Sequence, residues 1–377
     1  MRTPAQSTPA AARLAIFTAF GTLLAAAPGL AAPTVDVERG TQDKAEAPAS
    51  CCTLPGRFAA LSAESAEPTS RVALESISGG MRVTVGDGPF ADYRTDIARQ
   101  PVVWPLYNAA GLPMTRSFPL GPAGPKEQKD HPHHQSLWFT HGAVNGIDFW
   151  NVRPDAPADA PRIDQVEGLR SEEVGGRVVI ETRNAWRAGG RTLLRDRRTL
   201  VFAAEDDSPT PHRWIDFAVE LEPAADAVTL GDTKEGSFAV RVPGPMKVDA
   251  RLGGAIQNSV GQTDEAAWGQ PAEWVLYQGP LRPGADAPTG GLVIMSHPDS
   301  FRPVCRWHVR TYGLFAANPF GAKDFPAGES TQGEVTLEPG DRLRLRYRLV
   351  LVDGAASAAD AGRWFERFAA STDPALP

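Results

Sequence analysis

RVALESISGGMRVTVGDGPFADYRT, residues 71–95, alternates apolar and polar side chains around a Gly-Gly pair and an Asp-Gly pair. Successive side chains of a strand point to opposite faces, and glycine accepts the positive φ of a tight turn. The pattern therefore predicts strands joined by hairpins. The same texture returns in RVVIETRNAWR (177–187), RWIDFAVELEP (213–223), GGLVIMSHP (290–298) and LRLRYRLVLVDG (343–354), with Gly and Pro punctuating the gaps. RTLLRDRRTL (191–200) is the most basic run and reads as a strand or a solvated edge. Only AADAGRWFERFAA (358–370) sets large apolar residues, Trp364, Phe365 and Phe368, at helical spacing. The sequence thus predicts an all-β fold, a large antiparallel β-sandwich with a short C-terminal helix.

Outward from this core, the chain divides by composition. Arg2 and Arg13 precede the apolar stretch LAIFTAFGTLLAAAPGLAA (14–32), which has the layout of a secretory signal peptide over residues 1–32. Residues 33–70 form an Ala/Pro/Glu-rich flexible leader, 71–355 the β-sandwich domain, and 356–377 the helix and tail. A periplasmic or secreted protein is expected. No later stretch is long and apolar enough to span a bilayer. With 38 Lys and Arg against 45 Asp and Glu, the net charge of −7 argues against a nucleic-acid partner. Of Cys51, Cys52 and Cys305, one of the adjacent pair could reach the third after export, but spacing does not decide the connectivity.

Three segments concentrate chemistry. KDHPHHQSLWFTHGAVNGIDFW (129–150) holds four of the seven histidines, His131, His133, His134 and His141. As a strand it would face His131 and His133 one way and His134 the other, but Pro132 favours an edge or a loop. Histidines two apart on a β scaffold are similar to a cupin metal site, yet QSLWFT supplies no following Glu. Three uses stay open: a divalent metal held by His131, His133 and His134 with a further ligand such as Glu235 or His308, buried structure, or acid–base and substrate contact. No other cofactor is expected. LGDTKEGSFAVRVP (230–243) groups Asp232, Lys234 and Glu235, and a carboxylate beside an ammonium can serve as base or orienter. CRWHVRTYGLFAANPFG (305–321) alternates so that His308, Arg310 and Tyr312 share a face, next to Trp307. No G-x-S-x-G elbow, P-loop or dinucleotide fingerprint is present.

DHPHHQSLWFTHGAVNGIDFW (130–150), GDTKEGSFAVRV (231–242), GGAIQNSVG (253–261), WHVRTYGLFAANPFG (307–321) and LRLRYRLVLVDG, in this order, resemble the PmoA-like family over about residues 75–355. These are exported bacterial proteins carrying a "methane oxygenase" label. The membrane methane monooxygenase subunit of that name spans the bilayer repeatedly, so that activity is not expected here. The family is similar to the galactose-mutarotase-like supersandwich, which implies two large antiparallel sheets and a carbohydrate or glycoside on a concave face. It implies His/Glu acid–base chemistry of an epimerase, lyase or hydrolase. The alternatives are a non-catalytic glycan-binding module and a metal-dependent enzyme. By chemistry, His133, His134, His141 and His308 are candidate acids, and Asp232 and Glu235 candidate bases. Lys234 and Arg310 would neutralise developing negative charge. Trp138, Trp307 and Tyr312 would stack on a sugar, with Asn145, Asp148 and Asn318 as further substrate contacts.

Overall fold

The computed structural model of the protein describes residues 71–206, 208–326, 328 and 333–372. The expected signal peptide and leader, with Cys51 and Cys52, lie outside the described residues. Among these residues the strands form a nine-stranded sheet, an eight-stranded sheet and a two-stranded ribbon. Every pairing is antiparallel. No described helix is long and apolar enough to cross a membrane.

The stretch 71–95 becomes the first three strands of the larger sheet, Val72–Ile77, Gly80–Val85 and Gly88–Arg94. Their two turns fall at Ser78-Gly79 and Gly86-Asp87, where Gly79 (φ 74°) and Gly86 (φ 55°) supply the left-handed backbone. The sheet continues through Val102–Leu106, Leu137–His141, Gly236–Arg241, Leu314–Asn318 and Cys305–Val309 to the short Pro271–Ala272. The smaller sheet runs in the order Ala255–Asn258, Trp274–Pro280, Thr289–Ser296, Leu343–Asp353, His212–Pro223, Arg191–Glu205, Arg177–Ala188 and Arg162–Val174.

The inner faces meet through rings. Phe139 and Phe217 lie 5.6 Å apart, and Phe238 stacks on Tyr347 at 4.9 Å. The basic run 191–200 is a strand, but not a solvated edge. Alternation turns Arg195 and Arg197 outward and puts Asp196 and Arg198 inside, both at most 2% exposed. Arg198 donates to both Asp196 oxygens at 2.9 Å, and Asn184 and Trp186 donate to the same carboxylate. A buried ion pair is tolerable only with such complete pairing.

Each outer face is covered differently. The C-terminal helix, Ala358–Ala369, lies on the smaller sheet. Ser357 caps it by accepting from the Asp360 backbone N–H, while the Asp360 carboxylate accepts from the Ser357 N–H. Its buried residues Ala361, Trp364 and Phe368 pack on Trp214, Trp274, Val350 and Val352. On the larger sheet, loops cover Val102, Trp138, Ala239, Leu314 and Ala316. Replacing Trp364 by Ala should lower the unfolding free energy by about 3 kcal/mol, the usual cost of an emptied aromatic site. Urea titration would read this, and an unchanged midpoint would mean that the helix contributes nothing to the core.

Candidate functional site

The outer face of the larger sheet carries the candidate site. Cross-strand register lines up Trp138, Ala239, Ala316 and His308 in one row over four adjacent strands. Two methyl groups between two rings leave space above the sheet, and Trp150 and Tyr312 pack into it.

The histidine segment is a loop, and the strand begins only at Leu137. The face alternation expected of a strand is therefore lost, and all three rings touch. Arg116, 2% exposed, fixes the loop by donating to the carbonyls of Gln128, Asp130, His131 and His134 and to the Asp130 carboxylate. His131 takes a left-handed φ of 42°. Its ring stacks on Tyr312 (5.4 Å, 8°) and on His134 (4.9 Å, 10°), and His134 stacks in turn on Trp138 (5.4 Å). His133 packs edge-on against His134 at 4.4 Å. Arg241, 1% exposed, donates to His134 Nδ1 at 3.0 Å and reaches Asp130 at 3.2 Å, with its guanidinium 4.7 Å from the Tyr312 ring centre.

Electrostatics divide the histidines. Because Nδ1 of His134 accepts from Arg241, its proton must sit on Nε2. Burial, with His133 and Arg241 beside it, pushes its pKa well below the usual value. Burial and His131 lower His133 to about 4. Burial and Arg310 lower His308 to about 3. The His308 Nδ1–H donates to the Lys234 carbonyl at 2.9 Å, which leaves Nε2 as the acceptor of the neutral ring. Burial raises the Asp130 carboxyl, but Arg241, His131 and Arg116 together outweigh that and hold it below its ordinary range. His131 Nδ1 lies 3.0 Å from Asp130 Oδ2. Across the face, Lys234 Nζ is 3.0 Å from Glu235 Oε1, and His308 Nδ1 is 3.9 Å from Glu235 Oε2. Arg310 lies 5.5 Å from the Tyr312 ring centre and 4.9 Å from that of Trp268.

The fold thus brings His133, His134, Trp138, Lys234, Glu235, His308, Arg310 and Tyr312 to one face. Other nominated residues serve the framework. His141 points inward from its strand, pairs through Nε2 with the Gly231 carbonyl at 2.9 Å and packs against Phe320. A Cβ on Gly236 would stand 2.8 Å from His141 Nδ1, so that residue has no space for a side chain. The Asp232 carboxylate accepts from the backbone N–H groups of Ala322, Lys323 and Gly333 and ties down their loop. Asn318 bridges Thr233 and Phe320. Trp307 lies inside the sandwich with its N–H on the Ala272 carbonyl. Asn145 accepts from the distant Thr229 N–H and donates to the Ala227 carbonyl, and Asp148 spends its carboxylate on its own turn.

As a metal trio the loop histidines fit poorly, since His131 and His134 stack in parallel and Arg241 already uses His134 Nδ1. Among the described residues no group of three or more His, Cys, Asp or Glu is placed to hold a metal ion. Burial pushes the Cys305 thiol up to about 12, which denies it a thiolate. Sequence reasoning missed Asp130, Arg116, Arg241 and Lys247. One signal was available: Arg241 interrupts the apolar run FAVRV. A cleft of about 440 Å³ opens elsewhere, beside Tyr93, Gln165 and Thr182, and contains none of these residues.

The buried histidines set a pH dependence. His141 at about 4 and His308 at about 3 are neutral when folded but protonate near 6.5 when unfolded. The unfolded chain then binds more protons, so stability is complete above about pH 6.5 and falls as pH drops towards 3–4. Each contributes a slope of up to about 1.4 kcal/mol per pH unit. Urea unfolding at pH 7.5, 6, 5 and 4 should show this decline, whereas a flat profile would contradict the buried, neutral rings.

No curated protein matches the chain. Among solved structures, a galactose 1-epimerase from Lactobacillus acidophilus NCFM aligns with 76% of this chain and 100% of its own, at 8% identity and a TM-score of 0.32. At that score the epimerase's chemistry does not transfer. None of these comparisons carries the methane-oxygenase label. The family profile that matches covers residues 80–366, and the chain belongs to DUF6807, a family of unknown function.

Proposed function

We propose that the outer face of the larger sheet binds a sugar or glycoside outside the cytoplasm, and that Glu235 and a loop histidine move protons on it. The observation that carries this reading is the meeting of three segments, 129–134, 234–235 and 308–312, around Tyr312. His131 stacks on that ring, Arg310 lies near it, and the charge of Glu235 reaches it. Flat rings suit the apolar faces of a pyranose, and charged heads suit its hydroxyls.

The roles follow from accessibility and partners. Glu235, with 21% of its side chain exposed, is the base, and Lys234 Nζ orients it from 3.0 Å. His131 has 43% of its side chain exposed and Asp130 against Nδ1. It is the proton donor or acceptor, oriented through that nitrogen so that Nε2 faces the exchange. His134 and His308 stay neutral and position their neighbours. Epimerisation, elimination and glycoside hydrolysis all require proton transfer between such groups. A second reading, a glycan-binding module without turnover, is favoured by the ion pair that occupies Glu235.

Replacing Glu235 by Gln separates the two. For an enzyme, turnover on a panel of glycosides should fall by about 100-fold or more while binding changes by less than about threefold. Unchanged turnover would remove Glu235 from the chemistry. Binding by the wild-type chain with no turnover on any substrate would establish the module instead.

A further inference from the structure

The proposed site has more buried positive charge than negative charge to meet it. Arg116, Arg241 and Lys247 are 2%, 1% and 5% exposed. Asp130 is the carboxylate paired with both arginines. Glu127, the next acid in the loop, spends its carboxylate on the backbone N–H groups of Ser117, Phe118 and Gly124. Asp249, near Lys247, is exposed. The Lys247 ammonium has no hydrogen bond or ion pair with any described residue, and neither does the Arg310 guanidinium, whose contacts are the Trp268 and Tyr312 rings. The Nε atoms of both Arg116 and Arg241 are buried without a partner. Buried charge in excess of its partners is costly, so the surplus of Arg116, Arg241 and Lys247 over Asp130 implies a counter-charge that arrives from outside.

Their placement agrees. The Lys247 stem runs along Gly313, where a Cβ would come within 2.9 Å of its Cγ. Gly313 closes the turn that carries Arg310 and Tyr312, its N–H donating to the Arg310 carbonyl. Tyr277 ties the two segments together: its hydroxyl accepts from the Val248 N–H and approaches the Arg310 and Thr311 carbonyls. The spare lysine and the spare guanidinium therefore flank one turn, beside the ring on which the sugar would stack.

We propose that the ligand of this site is an anionic sugar, one carrying an oxyanion group such as a carboxylate, sulfate or phosphate, held at the Arg310–Gly313 turn by Lys247 and Arg310. This rests on the sugar reading above and narrows it. The planar guanidinium offers two parallel N–H donors to such a group, and the ammonium offers a point charge. The negative net charge of the whole chain makes this positive surplus a local feature.

The test is calorimetric titration of the full chain with glucose, glucuronate, glucose 6-phosphate and glucose 6-sulfate, with the galactose series alongside, and with acetate and inorganic phosphate as bare anions. At least one anionic sugar should bind about tenfold or more tightly than its neutral parent, a preference that weakens with salt. The acid that wins identifies the oxyanion. Lys247→Met should abolish the preference while leaving affinity for the neutral parent. Arg310→Met, at a partly buried position, should cut the ratio of anionic to neutral affinity, whatever it does to the neutral sugar, if the buried lysine variant fails to fold. Equal binding of neutral and anionic sugars would overturn the inference and leave the sugar reading standing, as would a preference that survives both substitutions. Bare anions that bind, and are lost with Lys247→Met, while no sugar binds would uphold the anion site and overturn the sugar reading. No binding of any anion overturns the inference.

Discussion

Everything on the outer face of the larger sheet is referred to one buried guanidinium. Arg241 ends a strand otherwise made of Gly, Ser, Phe, Ala and Val, and it reaches the loop through His134 and Asp130. Desolvating that charge is expensive, and the expense is offset only while the loop keeps its acceptors in place. The loop therefore has little freedom. Arg116 enforces the same restriction from the other side through four carbonyls and the same carboxylate. Stacked rings are the product: with the backbone of 128–134 fixed, His131 and His134 can only lie parallel, between Tyr312 and Trp138.

The density of histidine on this face is misleading about its charge. Sequence alone invites a picture of imidazolium groups and metal ligands. Burial instead keeps His133, His134 and His308 neutral near physiological pH. They behave there as flat, polar, hydrogen-bonding plates, and the permanent positive charge comes from arginine and lysine. An imidazole that can neither gain a proton cheaply nor present both nitrogens is a good orienter and a poor acid. That physical sorting moves attention to His131, the ring with exposed area and a carboxylate partner.

Much of this was legible in the sequence. Alternation around Gly-Gly and Asp-Gly announced the sandwich, and Trp364, Phe365 and Phe368 announced the helix that covers it. The three chemistry-rich segments do converge. What the sequence hid was direction and spending. Nothing local says that His141 faces inward, since one residue of register decides it. Nothing local says that Asp232 is consumed by the backbone N–H groups of Ala322, Lys323 and Gly333, which lie about 90 to 100 positions away. Arg116 and Lys247 stand in segments with no motif, and their importance comes from partners far off in the chain. RTLLRDRRTL looked soluble because four of its ten residues are arginine, when one of those arginines forms an ion pair in the interior.

Consider finally the two alanines, Ala239 and Ala316, lying side by side between Trp138 and His308. They set the height at which the rings rest above the sheet. A single extra methyl at either position would lift the whole pile, because each plate leans on the next. The platform proposed to meet a ligand is thus levelled from underneath, by residues that such a ligand would never touch. Within one scaffold, selectivity can then be retuned by changing the thickness of a shim, with every contacting side chain left as it was.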